Sequence, residues 1–305
     1  MIEFKEIELQ DSTWMKPLFN DADMEGCHQK FATVFLWAKI NDKRIARVND
    51  YVVIKVMANS EKPFYFYPAG VGDIKPVIEL MREDAAKSGH EFVLDGVSPK
   101  NIIELDQAFP NSFKYKEVRD NFDYVYLLEK MISLSGKKLS AKRNHINNFK
   151  RNHEWEFEPI TKDNIDECWQ MNKQWCLDND CNKSEELQEE ACAVKVAFRN
   201  FFELELEGGL IRADGKIIAY TIGEVLNSDT YVIHVEKAFS EIQGAYAMIN
   251  REFAELIKER HPHLVYVNRE EDVGDPGLRK AKKSYYPEKM EEKYLAKYKG
   301  TEIRS

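Results

Sequence analysis

Three stretches of the chain bring together residue types that do chemistry. In 230–237, Tyr231, Ile233 and Val235 alternate with Val232, His234 and Glu236, the period of a strand. A strand covered on both faces is apolar throughout, so His234 and Glu236, on one face, break the pattern. A carboxylate beside an imidazole can orient an amine or take its proton; the plain alternative is a polar pair satisfied at a strand end. In 267–287, charged groups crowd behind a short apolar run: Asn268, Arg269, Asp272, Arg279 and Lys282, then Tyr286. Ligands of open α/β sheets collect beyond the C-terminal ends of strands, which suits Asn268, Arg269 and Asp272; the alternative is a surface loop of charge pairs. Residues 130–153 hold seven Lys/Arg and no Asp or Glu, in a chain of net charge −9. With Ser140 as cap of a helix from Ala141, Lys142, Ile146, Phe149 and His153 share one face. Arg143, Asn147, Lys150 and Arg151 share another. With Lys137, Lys138 and Lys142 this stripe reads as a bed for phosphates of RNA, a nucleotide or a lipid head group, against a solvated connector helix.

A fourth stretch, Gln243, Gly244, Ala245 and Tyr246, opens a helix. Small residues there let backbone N–H groups approach a phosphate at the positive helix end. It has one glycine, and a glutamine where a cation is expected; ordinary turn chemistry accounts for it equally well. The five cysteines, Cys27, Cys168, Cys176, Cys181 and Cys192, are odd in number and form no CxxC. They read as packing residues of a reduced, cytoplasmic protein, and no metal site is expected, His261 and His263 having no further ligands beside them. No GxSxG or Walker loop occurs, and no apolar run approaches the ~18 residues of a membrane span. The N-terminus is acidic and unlike a signal peptide. The acidic total argues against a general nucleic-acid binder and leaves room for a local phosphate site.

The elements that must position these groups follow from period and turn chemistry. In the second half, 186–205 has helical spacing, and Gly208-Gly209 reads as its stop. Residues 210–213 and 216–226 form a hairpin about Asp214-Gly215; 230–237 is a third strand, 243–260 a helix and 264–267 a buried strand. Pro276 opens a helix with Asp275 as cap, and two strand-like runs end the chain. In the first half, strands are expected at 44–48, 51–57 and 64–67. A helix follows at 74–87 with Asp73 as cap, then a strand at 91–94, a helix at 99–108, and strands at 113–117 and 122–128. Meander, helix, strand, helix, strand pair is the order of the acyl-N-acyltransferase (GNAT-type) fold, twice. The fold class expected is α/β (α+β), two tandem GNAT-like domains with mixed central sheets. The expected parts are 1–129 and 154–305, joined by a basic connector at 130–153.

The chain also resembles the bacterial family related to the C-terminal domain of phosphatidylglycerol lysyltransferase and, more distantly, the Fem aminoacyltransferases. The resemblance lies in Asp123-Tyr124-Val125-Tyr126, Leu134-Ser135-Gly136-Lys137-Lys138-Leu139 with Lys142-Arg143-Asn144, and His234-Val235-Glu236-Lys237-Ala238. It continues through Asn268-Arg269-Glu270-Glu271-Asp272, Gly277-Leu278-Arg279, and Lys282 with Tyr286-Pro287. It implies aminoacyl transfer from charged tRNA to an amine or hydroxyl of a small molecule, peptide or lipid head group. Glu236, with His234 nearby, would take the acceptor's proton. Arg269 or Arg279 would steady the oxyanion or hold a phosphate, and the basic helix would steer the tRNA acceptor end. Asn268, Asp272, Lys282 and Tyr286 would line the substrate pocket. Two alternatives stay open: a coenzyme A-dependent N-acyltransferase, whose pyrophosphate would lie on Gln243–Tyr246, and a non-catalytic binding protein on the same fold. The resemblance also implies a sheet that splays between the strand at 230–237 and its neighbour. The principal cavity is then expected there, facing 268–272.

Overall fold

A computed structural model describes residues 2–57 and 62–300. Two compact units emerge. The first comprises residues 1–123, 271–275 and 290–305; the second comprises 124–270 and 276–289. Each is built on a mixed sheet. In the first, strand order is Lys5–Glu6, Lys43–Val48, Tyr51–Val56, Phe64–Phe66, Val93–Val97, Tyr294–Tyr298, Phe113–Glu117, with Ala69–Gly70 also on Tyr51–Val56. In the second, from Asp123–Leu127 inward, it is Tyr266–Asn268, Thr230–Ala238, Lys216–Val225, Glu207–Ala213, Trp155–Pro159. Both sheets contain one kind of irregularity: an antiparallel meander followed by a parallel pair. The parallel pairs are Phe64–Phe66 with Val93–Val97 and Thr230–Ala238 with Tyr266–Asn268. This is the tandem GNAT-like order expected from the sequence.

The chain is shared between the sheets differently from the partition at 129 and 153. Tyr294–Tyr298 enters the first sheet, between Val93–Val97 and Phe113–Glu117. Most of Asp123–Leu127 belongs to the second unit, and its strand pairs with Tyr266–Asn268. The basic segment is an integral part of the second unit.

Local chemistry accounts for some element ends. Asp73 accepts a hydrogen bond from the Lys75 N–H and starts Ile74–Lys87, whose buried face is Ile74, Val77, Ile78, Met81 and Ala85. Ser98 and Asn101 form a capping box at Pro99–Ala108, satisfying two orphan donors reciprocally. Asp214 and Gly215, both at positive φ, make the two-residue turn between Glu207–Ala213 and Lys216–Val225. Gly208-Gly209 is not a helix stop. The helix, Glu185–Arg199, closes at Asn200, and the glycines lie inside the strand, where a Cβ on Gly209 would stand 2.5 Å from the Phe157 ring. The pair serves close packing rather than chain reversal. Periodicity did not reveal the helices Ser12–Ala22, Phe31–Leu36, Leu128–Ser133 and Ile165–Asp178. Among the described residues, no helix is long and apolar enough to cross a membrane.

Candidate functional site

Thr230–Ala238 pairs in parallel with Tyr266–Asn268 at three positions, the last being Val232 opposite Asn268. The shorter strand then ends, and the longer one runs on to Ala238. On its other edge the long strand slips. Val235 faces Ile222 and Ile233 faces Gly223, leaving His234 as the bulged residue. Bulges re-aim side chains beside functional sites. Gly223 is required here because a Cβ would lie 2.2 Å from the Val232 carbonyl oxygen.

His234 is buried between two carboxylates. Its Nδ1 lies 2.9 Å from Glu270 Oε1 and its Nε2 lies 3.2 Å from Glu224 Oε1. Burial opposes its charge, but the hydrogen bonds to Glu224 and Glu270 outweigh that and hold the imidazole at about 9. An imidazole facing acceptors on both nitrogens carries both protons. His234 ties the bulge to the 270 segment, and while protonated it has no free lone pair with which to act as a base.

Glu236, two residues on, has its own partners. Arg269 Nη2 donates to both carboxylate oxygens, at 2.9 and 3.1 Å. Asn250 Nδ2 donates to Glu236 Oε1 at 2.8 Å and to the Tyr246 carbonyl at 2.7 Å. The Arg269 guanidinium lies 5.0 Å from the Tyr285 ring and 5.6 Å from Tyr126. Lys142 reaches Tyr285 at 4.1 Å, with its ammonium lowered by burial and then by the Arg269 charge. Lys282 Nζ donates to the carbonyls of Arg269 and Glu270, at 2.6 and 3.2 Å, and Tyr126 Oη donates to the Lys282 carbonyl. Two polar atoms of this cluster, Arg269 Nη1 and Asn250 Oδ1, are buried without a hydrogen-bond partner among the described residues. Such groups are rare in folded proteins and ask for an explanation.

Of the site residues read from sequence, His234, Glu236, Asn268, Arg269, Lys282 and Lys142 come together in the second unit. Asn268 is buried and accepts from the Glu270 N–H at 2.8 Å. Lys142 belongs to the Glu236–Arg269 group rather than to an outer phosphate stripe. Asp272 leaves the group: it packs in the first unit, 3.5 Å from Arg119 Nη1, and accepts from the Gly274 N–H. Arg279 is half-buried on Pro276–Lys283; of the two arginines it is Arg269 that meets Glu236. Tyr286 is exposed, under the Lys138 ammonium at 5.1 Å. Asn250, Glu224 and Tyr285 were not anticipated, and Tyr126 and Glu270 stood only in the motifs of the resemblance. Asn250 had a signal, being a polar residue on the apolar face of Ala245–Arg260, and so had Glu224, a charge in an apolar strand.

At the helix start Gln243–Tyr246, Gln243 and Tyr246 are exposed while Gly244 is closely packed. A Cβ on Gly244, at φ +96°, would stand 2.7 Å from the His145 carbonyl oxygen and 3.1 Å from Phe149 Cβ. Gln243 Oε1 accepts from Asn148 Nδ2 at 3.1 Å, and the Ala245 N–H donates to the Ile242 carbonyl. Ser140–Asn152 thus packs against Gly244 and hydrogen-bonds Gln243. Ser140 is the first residue of that helix rather than its cap, its hydroxyl donating to the Lys137 carbonyl. Ile146 and Phe149 dock it, as expected. Arg143 Nη1 donates to the carbonyls of Leu134 and Gly136, and Lys150 pairs with Glu252 at 3.2 Å over the Trp155 ring. Lys137, Lys138 and Arg151 remain exposed.

The clefts do not follow the sequence expectation. The larger, about 630 Å³ beside Phe64, Val93 and Asn121, and the smaller, about 250 Å³ beside Tyr67, Gly96 and Lys293, both lie on the first unit.

Residues 19–297 match the family described as phosphatidylglycerol lysyltransferase, C-terminal. A crystal structure from Bacteroides thetaiotaomicron, described as a conserved protein of unknown function, is 41% identical with a TM-score of 0.92, over 98% of this chain and 100% of its own. The C-terminal domain of a putative lysylphosphatidylglycerol synthetase from Agrobacterium fabrum shares the fold at 16% identity, with a TM-score of 0.68 over 94% of this chain and 91% of that one. An uncharacterised protein of Mycoplasmoides gallisepticum is 26% identical over 184 residues, 57% of this chain, and the match spans 56% of that protein. The match along nearly the whole chain, on a fold of two GNAT-like sheets, makes the chain a member of the phosphatidylglycerol lysyltransferase C-terminal family.

Proposed function

We propose that the second unit is an aminoacyl-transfer site, which moves an aminoacyl group from charged tRNA to an amine or hydroxyl of a small molecule, peptide or lipid head group. The observation that carries this reading is the pair of buried unpartnered atoms beside Glu236, a donor on Arg269 and an acceptor on Asn250. An aminoacyl ester presents the complement of both: its carbonyl oxygen accepts from Arg269 Nη1, and its α-amino group donates to Asn250 Oδ1. Arg269 then faces the oxygen on which charge develops. The acceptor's nitrogen or oxygen bonds to the carbonyl carbon while the bond to the tRNA ribose oxygen breaks. Glu236 takes the acceptor's proton, and the departing ribose oxygen takes up a proton in turn. Exposed Lys137, Lys138 and Arg151 supply phosphate contacts for the acceptor end.

A coenzyme A thioester suits this chain less well. Its pyrophosphate needs open N–H groups at a helix start, and at Gly244 that space is taken by the His145 carbonyl.

The test is calorimetric binding of a 3′-aminoacylamino-adenosine, the stable amide analogue of a charged tRNA end. The full chain should bind it, and Arg269→Gln and Asn250→Ala should each lose at least about tenfold in affinity, as expected for a buried hydrogen bond of about 1.5–3 kcal/mol. Wild-type protein that ignores every aminoacyl analogue and binds acetyl-coenzyme A would overturn the reading.

A further inference from the structure

Outside this site, one cluster in the first unit has metal-ligand chemistry. Cys27 and His28 lie in the loop between Ser12–Ala22 and Phe31–Leu36, Asp123 opens its strand, and Glu271 lies in the 271–275 segment. All four pack in the first unit. A Cys27 sulfur, a His28 ring nitrogen and a Glu271 carboxylate oxygen lie within 4.8 Å of one another. Cys27 Sγ is 3.3 Å from Asp123 Oδ1, 3.3 Å from Glu271 Oε2 and 3.9 Å from His28 Nδ1. Bonds of about 2.0–2.3 Å to a tetrahedral ion put ligand atoms about 3.3–3.8 Å apart, so these separations need little adjustment. We propose that Cys27, His28 and Glu271, with Asp123 beside the thiol, form a transition-metal site suited to Zn²⁺.

Other observations support it. Sulfur, imidazole and carboxylate are the ligands zinc takes, and a soft thiolate disfavours Mg²⁺ and Ca²⁺. The His28 ring is held against Phe66 at 5.1 Å, and the Cys27 N–H donates to Asp123 Oδ2 at 3.0 Å; such outer contacts orient ligands. The 250 Å³ cleft is lined by Gly26 and Gln29, which flank Cys27 and His28 in sequence, and by Lys293.

Lys293 is the built-in competitor. Its Nζ lies 2.5 Å from Asp123, 3.3 Å from Cys27 and 3.5 Å from Glu271, and supplies the positive charge these groups need without a metal. A divalent ion displaces the thiol proton to solvent. It adds a sulfur bond and moves the ammonium aside with its own proton retained. No spacing along the chain hints at this site, because its groups come from three segments far apart.

The test uses the full chain, stripped with a chelator and titrated with Co²⁺. One equivalent should bind with a near-ultraviolet sulfur-to-cobalt band and visible bands of tetrahedral strength, all displaced by one equivalent of Zn²⁺. Cys27→Ser should abolish the sulfur band. A variant with Cys176, Cys181 and Cys192 changed to serine should keep it. Lys293→Gln should tighten Co²⁺ binding, and His28→Gln should weaken it by about tenfold or more with the circular-dichroism spectrum unchanged. A wild-type chain with no sulfur band, or a band that survives Cys27→Ser, overturns the proposal. If Cys27→Ser fails to fold, unchanged Co²⁺ affinity in His28→Gln overturns it.

Discussion

Glu236 and His234 share a strand face and do different work. Glu236 faces a guanidinium and an amide, each with one polar atom left over. Glu236→Gln keeps the shape and removes the charge. It should fold normally and lose transfer by on the order of 10²–10⁴, measured with whichever charged tRNA the wild type uses. Retained turnover would remove Glu236 from the base role. His234 has a structural consequence instead. Its value of about 9 lies above the ordinary ~6.5, so its contribution to stability is complete below pH ~6.5 and is lost as pH rises through ~9. By linkage that loss is up to about 3 kcal/mol. Urea unfolding of the wild type should show stability falling across this window, and His234→Gln should lack that fall. Parallel pH profiles for the two proteins would show that His234 is uncharged in the fold.

The element that decides between donors is Ser140–Asn152. Its sequence advertised a phosphate bed, but packing divides its cations. Arg143 caps the 134–136 carbonyls, Lys150 pairs with Glu252, and Lys142 turns inward to Tyr285. The outward remainder is Arg151, with Lys137 and Lys138 ahead of the helix. Lys138→Ala with Arg151→Ala should weaken tRNA binding and reduce the salt slope by roughly 0.7–0.9 for each phosphate no longer neutralised. Arg143→Ala should lower the melting temperature with little change in that slope. If the double variant binds with unchanged slope, the helix touches no phosphate through these residues. Where the helix crosses Ala245–Arg260, Gly244→Ala combines a positive φ with a 2.7 Å approach to backbone. It should cost about 1–3 kcal/mol. Gly215→Ala, at positive φ but with open space around it, should cost less in the same thermal melts.

At the scale of the whole chain, sheet membership ignores sequence halves. Tyr294–Tyr298 is an interior strand of the first sheet, with Ala296 fully buried. Removing it leaves two unpaired strand edges and opens the core formed with Phe92, Leu94 and Phe113. Residues 1–129 expressed alone should therefore fail to give a cooperative thermal transition by circular dichroism. Addition of a peptide spanning 290–300 should rescue it in part. A cooperative transition in the fragment by itself would show that the last strand is dispensable.

Local chemistry alone determined much of this protein. Alternation marked the strand carrying His234 and Glu236, Asp214-Gly215 marked the hairpin before it, and Asp73 and Ser98 sit at helix starts, because caps, turns and periodicity act over a few residues. The tandem order and the family resemblance were readable for the same reason. The misread Gly208-Gly209 shows where local reasoning stops: turn chemistry and close sheet packing both ask for glycine, and only the Phe157 ring beside it distinguishes them. Which cation meets which carboxylate was decided by the tertiary structure. Lys142 and Arg143 are neighbours in sequence, yet one faces Tyr285 and the other two carbonyls. Asp272 and Arg269 are three residues apart and lie in different units. The partners of Glu236 come from residues 250 and 269, and those of Cys27 from 123, 271 and 293. A helix face and a sheet edge must be packed before such groups share a site, and charge type in a sequence carries no record of that distance.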